Sequence, residues 1–265
     1  MYRKLITCTA LALTAGVAAP AFAQDAADYP SKAIRLVIPF PPGGGTDILS
    51  RVVANKLTEA TNWTVVPENK AGAGGTIGIT EAAKAAPTGY EMVMGQKDNL
   101  VLGPYLYKSL PWHPVKDLTP VAHVAYTPVI IATSVNSPYK TIADVVAAAK
   151  AKPTQITYGS PGNGTSIHIA GHLFEKAADM QEQGIKDFDV STWYGLFMPA
   201  GTPAAITAKM NAEVNKLLAQ PAVQEAILAQ GAEPKAMSIQ EFETMFREDF
   251  ANSEAVVKAS GAVIQ

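Results

Sequence analysis

An α/β fold with mainly parallel sheets is what this sequence predicts, and three observations carry the prediction. Apolar strand-like runs alternate with helix-period segments over short links, the grammar of βαβ units. Two such runs end in glycines and pass directly into a helix, at Ile34–Asp47 and at Ile156–Ser166. About 240 residues remain after an N-terminal leader, enough for two modest lobes.

Each element has its own signal. Ala33–Phe40 is apolar except at Arg35, as expected of a strand buried on both faces. Ile48, Leu49, Val52, Val53 and Leu57 then fall on one face of a 3.6-residue period, with Thr46 or Asp47 placed to cap that helix. Thr64–Val66 reads as a strand, Ala71–Gly75 as a glycine loop, Ile77–Ala85 as a helix and Tyr90–Gly95 as a third strand. Val121–Ser134 is a long extended stretch, interrupted at Pro128, that is expected to cross between lobes. A helix at Ile142–Lys150 precedes the strand Ile156–Gly159 and the second glycine loop. Helical patterns follow at Ser166–Ala177, Ala204–Leu218, Ala222–Gln230 and Ile239–Lys258, with an extended piece at Trp193–Phe197.

The first 23 residues read as an export address. Arg3 and Lys4 precede the short apolar run Leu5–Val17, and Ala21-Phe22-Ala23 is a small-x-small cleavage site before Gln24. That run is too short to span a bilayer. Cleavage after Ala23 removes Cys8, the one cysteine, and with it disulfide and thiolate chemistry. It leaves 19 basic against 23 acidic residues with no basic block, so nucleic acid is not an expected partner.

The two glycine loops aim backbone N–H groups and the positive end of a helix dipole at one point, which suits an anion. For the first, steric punctuation by glycine is the competing reading. Neither carries the lysine of a P-loop, and Gly72-Ala73-Gly74-Gly75-Thr76-Ile77 lacks the third glycine of a dinucleotide fingerprint. No Gly-x-Ser-x-Gly elbow is present, and Asp47, Asp98 and Asp117 show no paired spacing, so an enzyme has no candidate dyad. His168, His172 and Glu175 have a spacing that can hold a metal, yet lack the adjacent glutamate of a zincin. His168 is better read as a donor to an anion and His172 as structural. Trp63, Trp112 and Trp193 are expected in core or hinge packing by default, with partial exposure near the cleft the further reading for Trp112. No metal and no cofactor are expected.

Six stretches together resemble one family: Tyr29-Pro30 with Pro39–Asp47, Glu68–Gly75, Ala85–Tyr90, Leu110–Leu118, Tyr158–Ser166 and Trp193–Pro203. They are similar, in order, to the Bug family of periplasmic solute-binding proteins of tripartite tricarboxylate transport systems, related to TctC. The resemblance implies a non-enzymatic, monomeric receptor of the type II periplasmic-binding fold that closes on a small carboxylate and meets a permease with a large and a small subunit. Its binding residues transfer to Phe40, Pro42, Gly43, Gly44, Gly45, Thr46 and Asp47, to Gly162, Asn163, Gly164, Thr165 and Ser166 with His168 beside them, and to Gln96 within a third contact at 96–99. Asp47 is expected to hold the helix start rather than touch the ligand. The implied organisation is a signal peptide (1–23), lobe one (24–124), a shortened lobe two (125–192) and a return to lobe one with C-terminal helices (193–265). One departure stands out. After about Ala178 the chain passes straight to a segment resembling a far later part of the family, omitting about two βα units, roughly 50–60 residues. A truncated, non-transporting relic, or a sensor or scaffold, is therefore the alternative reading.

Overall fold

The computed structural model describes residues 27–152, 155–159, 165–180 and 191–260. The signal peptide, and Gly162, Asn163 and Gly164 of the second glycine loop, lie outside the described residues.

The first half of the chain builds a parallel unit. Strand β1 (Ile34–Ile38) leads into helix α1 (Gly45–Thr61), strand β2 (Val65–Asn69), helix α2 (Thr76–Ala83) and strand β3 (Glu91–Gln96). β1 pairs in parallel with β2 on one side and β3 on the other. A π-helical turn at Asp98–Leu102 and the one-turn helix α3 (Pro114–Asp117) then lead to β4 (Leu118–Pro128). Helices α4 (Ile142–Ala151) and α5 (Ser166–Met180) precede β5 (Ser191–Pro199). The chain ends with α6 (Ala204–Leu218), α7 (Pro221–Leu228), the short β6 (Glu233–Pro234) and α8 (Ile239–Ser260).

These strands form one six-stranded sheet in the order β2-β1-β3-β5-β4-β6. The expected mainly parallel sheet is instead mixed, because β5 returns from the opposite end and pairs antiparallel with both β3 and β4. Strict alternation divides its side chains between two cores. Leu36, Met92, Met94, Leu196 and Met198 face α1, α6 and α7, whereas Val37, Val93, Trp193 and Phe197 face α2 and α8.

Four local expectations are corrected. Residues Ile156–Gly159 form no strand. Helix α1 starts three residues before its apolar pattern, so Gly44 is the N-cap and neither Thr46 nor Asp47 takes that place. The extended stretch from Val121 stops at Pro128, since no strand continues through 129–134. Trp112 is buried in the core under α8, not exposed at a cleft.

The segment between β4 and β5 is different in kind. Helix α4 has a well-formed capping box from Thr141 and Asp144 yet buries none of its residues. Ile130, Ile131, Val135, Ile142, Tyr158 and Ile167 all stand exposed there. Helix α5 is the exception, because it packs against α8 through Ile169 and Leu173.

Candidate ligand-binding site

The carboxyl ends of β1 and β3 define the site. The chain leaves β1 toward β2 on one side and comes back to β3 on the other, which makes this a topological switch point, where α/β sheets open a crevice.

The first loop fills its rim. Pro42, Gly43, Gly44 and Gly45 are exposed, and no side chain caps α1, so the N–H groups of its first turn have no side-chain acceptor. Gly44 sits at φ −84° with nothing within 4 Å of where a Cβ would be. Its glycine is therefore not demanded by the fold. Gly43, at φ +90°, is held in a conformation that other residues rarely adopt.

Asp47 shapes this loop from below. Its carboxylate accepts the Gly43 N–H at 3.0 Å, the Asn69 amide at 2.9 Å and the Arg51 guanidinium at 2.9 Å. Burial alone would raise its pKa, but these donors prevail and hold the carboxyl below its usual range. Asn69, at the end of β2, also donates to the Phe40 carbonyl at 3.0 Å. One residue thus ties together the two ends of the loop.

The expected third contact lies beside it. Thr46 donates to the Gln96 side-chain carbonyl at 2.6 Å, and Gln96 is paired across the sheet with Tyr194 of β5. A Cβ at Gly45 would stand 3.1 Å from the Tyr194 hydroxyl. Gly45, Thr46, Gln96 and Tyr194 therefore meet at one place. Next to them, Asn99 Oδ1 accepts the Gln96 backbone N–H at 3.0 Å, while Asn99 Nδ2 is buried without a partner. A Cβ at Gly75 would come within 2.8 Å of that nitrogen and 3.3 Å of the Phe40 ring.

The start of α5 closes the arrangement. Thr165 accepts the His168 N–H at 3.2 Å and so caps the helix. Ser166 donates its hydroxyl to Asp98, which also accepts the Thr192 hydroxyl at 3.3 Å. The Asp98 pKa is raised, chiefly by burial, with the Ser166 hydroxyl and backbone N–H and the Thr192 hydroxyl acting against it. His168 faces His172, their Nε2 atoms 3.0 Å apart, and Glu175 sits 3.3 Å from His172 Nδ1. Burial, then the proximity of His172, lowers the His168 pKa. Among the described residues no group of three or more histidine, cysteine, aspartate or glutamate side chains could hold a metal.

The structure thus brings Phe40, Gly43–Asp47 and Gln96 together, and sets Thr165, Ser166 and His168 at the α5 start that Asp98 contacts. Sequence reasoning missed Tyr194 and Asn69, and did not single out Asp98 within the expected contact at 96–99. For Tyr194 the usable signal was its position in an alternating strand; for Asp98 none was available, since its partners lie 68 and 94 residues away.

Comparison with known proteins fits this geometry. The R. palustris protein Rpa4515, solved with adipate, superposes with a TM-score of 0.82 at 22% identity, over 89% of this chain and 99% of that one. The periplasmic binding protein BugD superposes with a TM-score of 0.79 at 23% identity, over 89% of this chain and 100% of BugD. The chain therefore shares the fold of these two proteins, with its glycine-rich helix start at the switch point. Protein BugT of Bordetella pertussis is 27% identical over 327 residues, taking in 100% of this chain and 99% of BugT. The TctC family model, described as tripartite tricarboxylate transporter family receptor, matches residues 49–181 and again 174–262. The chain belongs to this family of Bug/TctC solute receptors, and it is a binding protein, not an enzyme. No helix among the described residues is long and apolar enough to cross a membrane.

Proposed function

We propose that this chain, exported and cleaved after Ala23, is an extracytoplasmic receptor that captures a small carboxylate and delivers it to a tripartite tricarboxylate-type permease. The observation that carries this reading is the start of α1, where the exposed Gly44 and Gly45 present backbone N–H groups that no side chain caps, while Asp47 holds the Gly43 N–H. The adipate held by Rpa4515 supports a carboxylate as the ligand class. Thr46, Gln96 and Tyr194 then stand beside the anion, and Asp47 holds the loop rather than the ligand. Closure of the α5 start over the site would exclude water and strengthen each hydrogen bond as the local dielectric falls.

The test is a thermal-shift screen of residues 24–265 against small carboxylates, because a ligand that binds the native state raises its melting temperature. Saturation at about 100 times Kd corresponds to roughly 2.7 kcal/mol of added stability. Gly44→Val is the matched control: the space around Gly44 accepts a side chain, so the fold is expected to survive while the shift disappears. A shift that persists in this variant would remove α1 from the binding mechanism.

A second reading rests on a different observation. The BugT alignment spans 327 residues against 265 in this chain, a difference of 62. The two family matches overlap at 174–181, and this supports the departure expected after about Ala178. An internal deletion from lobe two would leave the apolar residues at 130–167 uncovered, and a chain so shortened would be a non-transporting relic, sensor or scaffold. A cooperative melt that no carboxylate shifts would favour this reading.

A further inference from the structure

The two helix starts that face the crevice are not equivalent. That of α1 is uncapped and lined by bare glycine backbone. That of α5 is already satisfied: Thr165 takes the His168 N–H, and Asp98 takes both the hydroxyl and the backbone N–H of Ser166. A carboxylate therefore already occupies the second anion position, and it belongs to the chain itself.

Asp98 is also poorly neutralised. Lys97, the adjacent cation, ion-pairs with Asp249 at 3.3 Å and is the weakest of the influences that favour the charged form of Asp98. Among the described residues no cation lies within ion-pair distance of Asp98. The donors that reach it are two hydroxyls and one backbone N–H, whereas a carboxylate has about four acceptor sites. Asp98 as a residue is only partly covered, although its carboxyl is desolvated enough for burial to dominate its raised pKa. It lies two residues beyond Gln96 and close enough to Tyr194 to perturb the phenol, and it holds the α5 start, whereas the glycines line the α1 start.

Resting on the carboxylate-receptor reading, we infer that Asp98 sets the specificity of this site: the ligand has one carboxylate, seated on the α1 start, and an ammonium or hydroxyl donor at its other end. A second carboxylate would meet a filled helix start and a like charge in a partly desolvated crevice. An ammonium or hydroxyl would find an acceptor there. Selection works by both repulsion and attraction.

The experiment is calorimetric titration of the mature chain, residues 24–265, with length-matched acids of four to six carbons. Each set contains a dicarboxylate, the ω-amino acid and the plain monocarboxylate, for example succinate, 4-aminobutanoate and butanoate. The wild-type protein is expected to prefer the ω-amino acid over the dicarboxylate by roughly 10–100-fold, the span of a charge-assisted hydrogen bond. Asp98→Asn, which keeps the shape and can still accept from Ser166, is expected to erase that preference and improve dicarboxylate binding. A wild-type protein that binds the dicarboxylate as well as its amino counterpart overturns the inference, and that ranking needs no variant. Unchanged ranking in a folded Asp98→Asn protein overturns it as well. Absence of binding by every acid defeats the receptor reading instead, and the inference falls with it.

Discussion

At the scale of single residues, His123 carries the most chemistry outside the site. It is fully buried between Tyr126 and Phe242, its Nδ1 lies 2.7 Å from the Lys235 carbonyl, and its Nε2 has no partner. Burial lowers its pKa from 6.5 to about 4, against the opposing pull of the Lys235 carbonyl. Between these two values the unfolded chain binds a proton that the folded chain does not. Stability is therefore full above pH 6.5 and falls as the pH drops toward 4, by about 3 kcal/mol in all. His123→Asn keeps a donor for Lys235 but cannot titrate. Denaturant midpoints at pH 7 and pH 4 are expected to show the wild type losing about 3 kcal/mol more than this variant. Equal losses would place the acid sensitivity elsewhere. Arg35 is the charged counterpart, ion-paired at 2.6 Å with both Glu81 and Glu91 and bonded also to Glu68. Those carboxylates explain why a strand otherwise buried on both faces tolerates an arginine.

At the scale of elements, the sheet depends on two facing glycines. Gly95 of β3 and Gly195 of β5 pair directly, and side chains at these positions would drive into Leu100 and Phe242 respectively. Gly195→Ala is expected to cost about 1–3 kcal/mol, the usual range for overpacking a filled core, measured by denaturant unfolding. An unchanged midpoint would mean that α8 can slide away from the sheet. Such pairings mark the limit of what the sequence makes legible. The strands and most helices could be read because their signal is local: Ile34–Ile38 is a continuous apolar run and Ala204–Leu218 keeps a 3.6-residue period. The direction of β5 could not, because nothing within Trp193–Phe197 states which strands it will lie between. The two-residue β6 is too short to carry a pattern. The α1 start was legible because its glycines are contiguous, whereas Asp98 acquires its role only from residues of α5 and β5.

At the scale of the whole molecule, the uneven burial is the main feature. Two well-filled cores flank the sheet, while Ile130, Ile131, Val135 and Ile142 lie open on the excursion between β4 and α5. An apolar surface of this kind invites association. A chain of residues 24–265 is expected to bind a hydrophobic dye and to self-associate, and the triple change Ile130→Ser, Ile131→Ser, Val135→Ser is expected to reduce both. Its melting should hardly move, since exposed substitutions usually stay within about 0.5 kcal/mol. A dye-negative monomer would show that the excursion is covered in solution. The sheet order has one more effect, on timing. Among the described residues β5 is the only strand joining β2-β1-β3 to β4-β6, yet it begins at Ser191 of 265 residues. Until the last third of the polypeptide has been synthesised, the strand pairing that joins the two halves of the sheet cannot form. The sheet as a whole therefore cannot close for most of the chain's synthesis, whatever its first three strands do on their own.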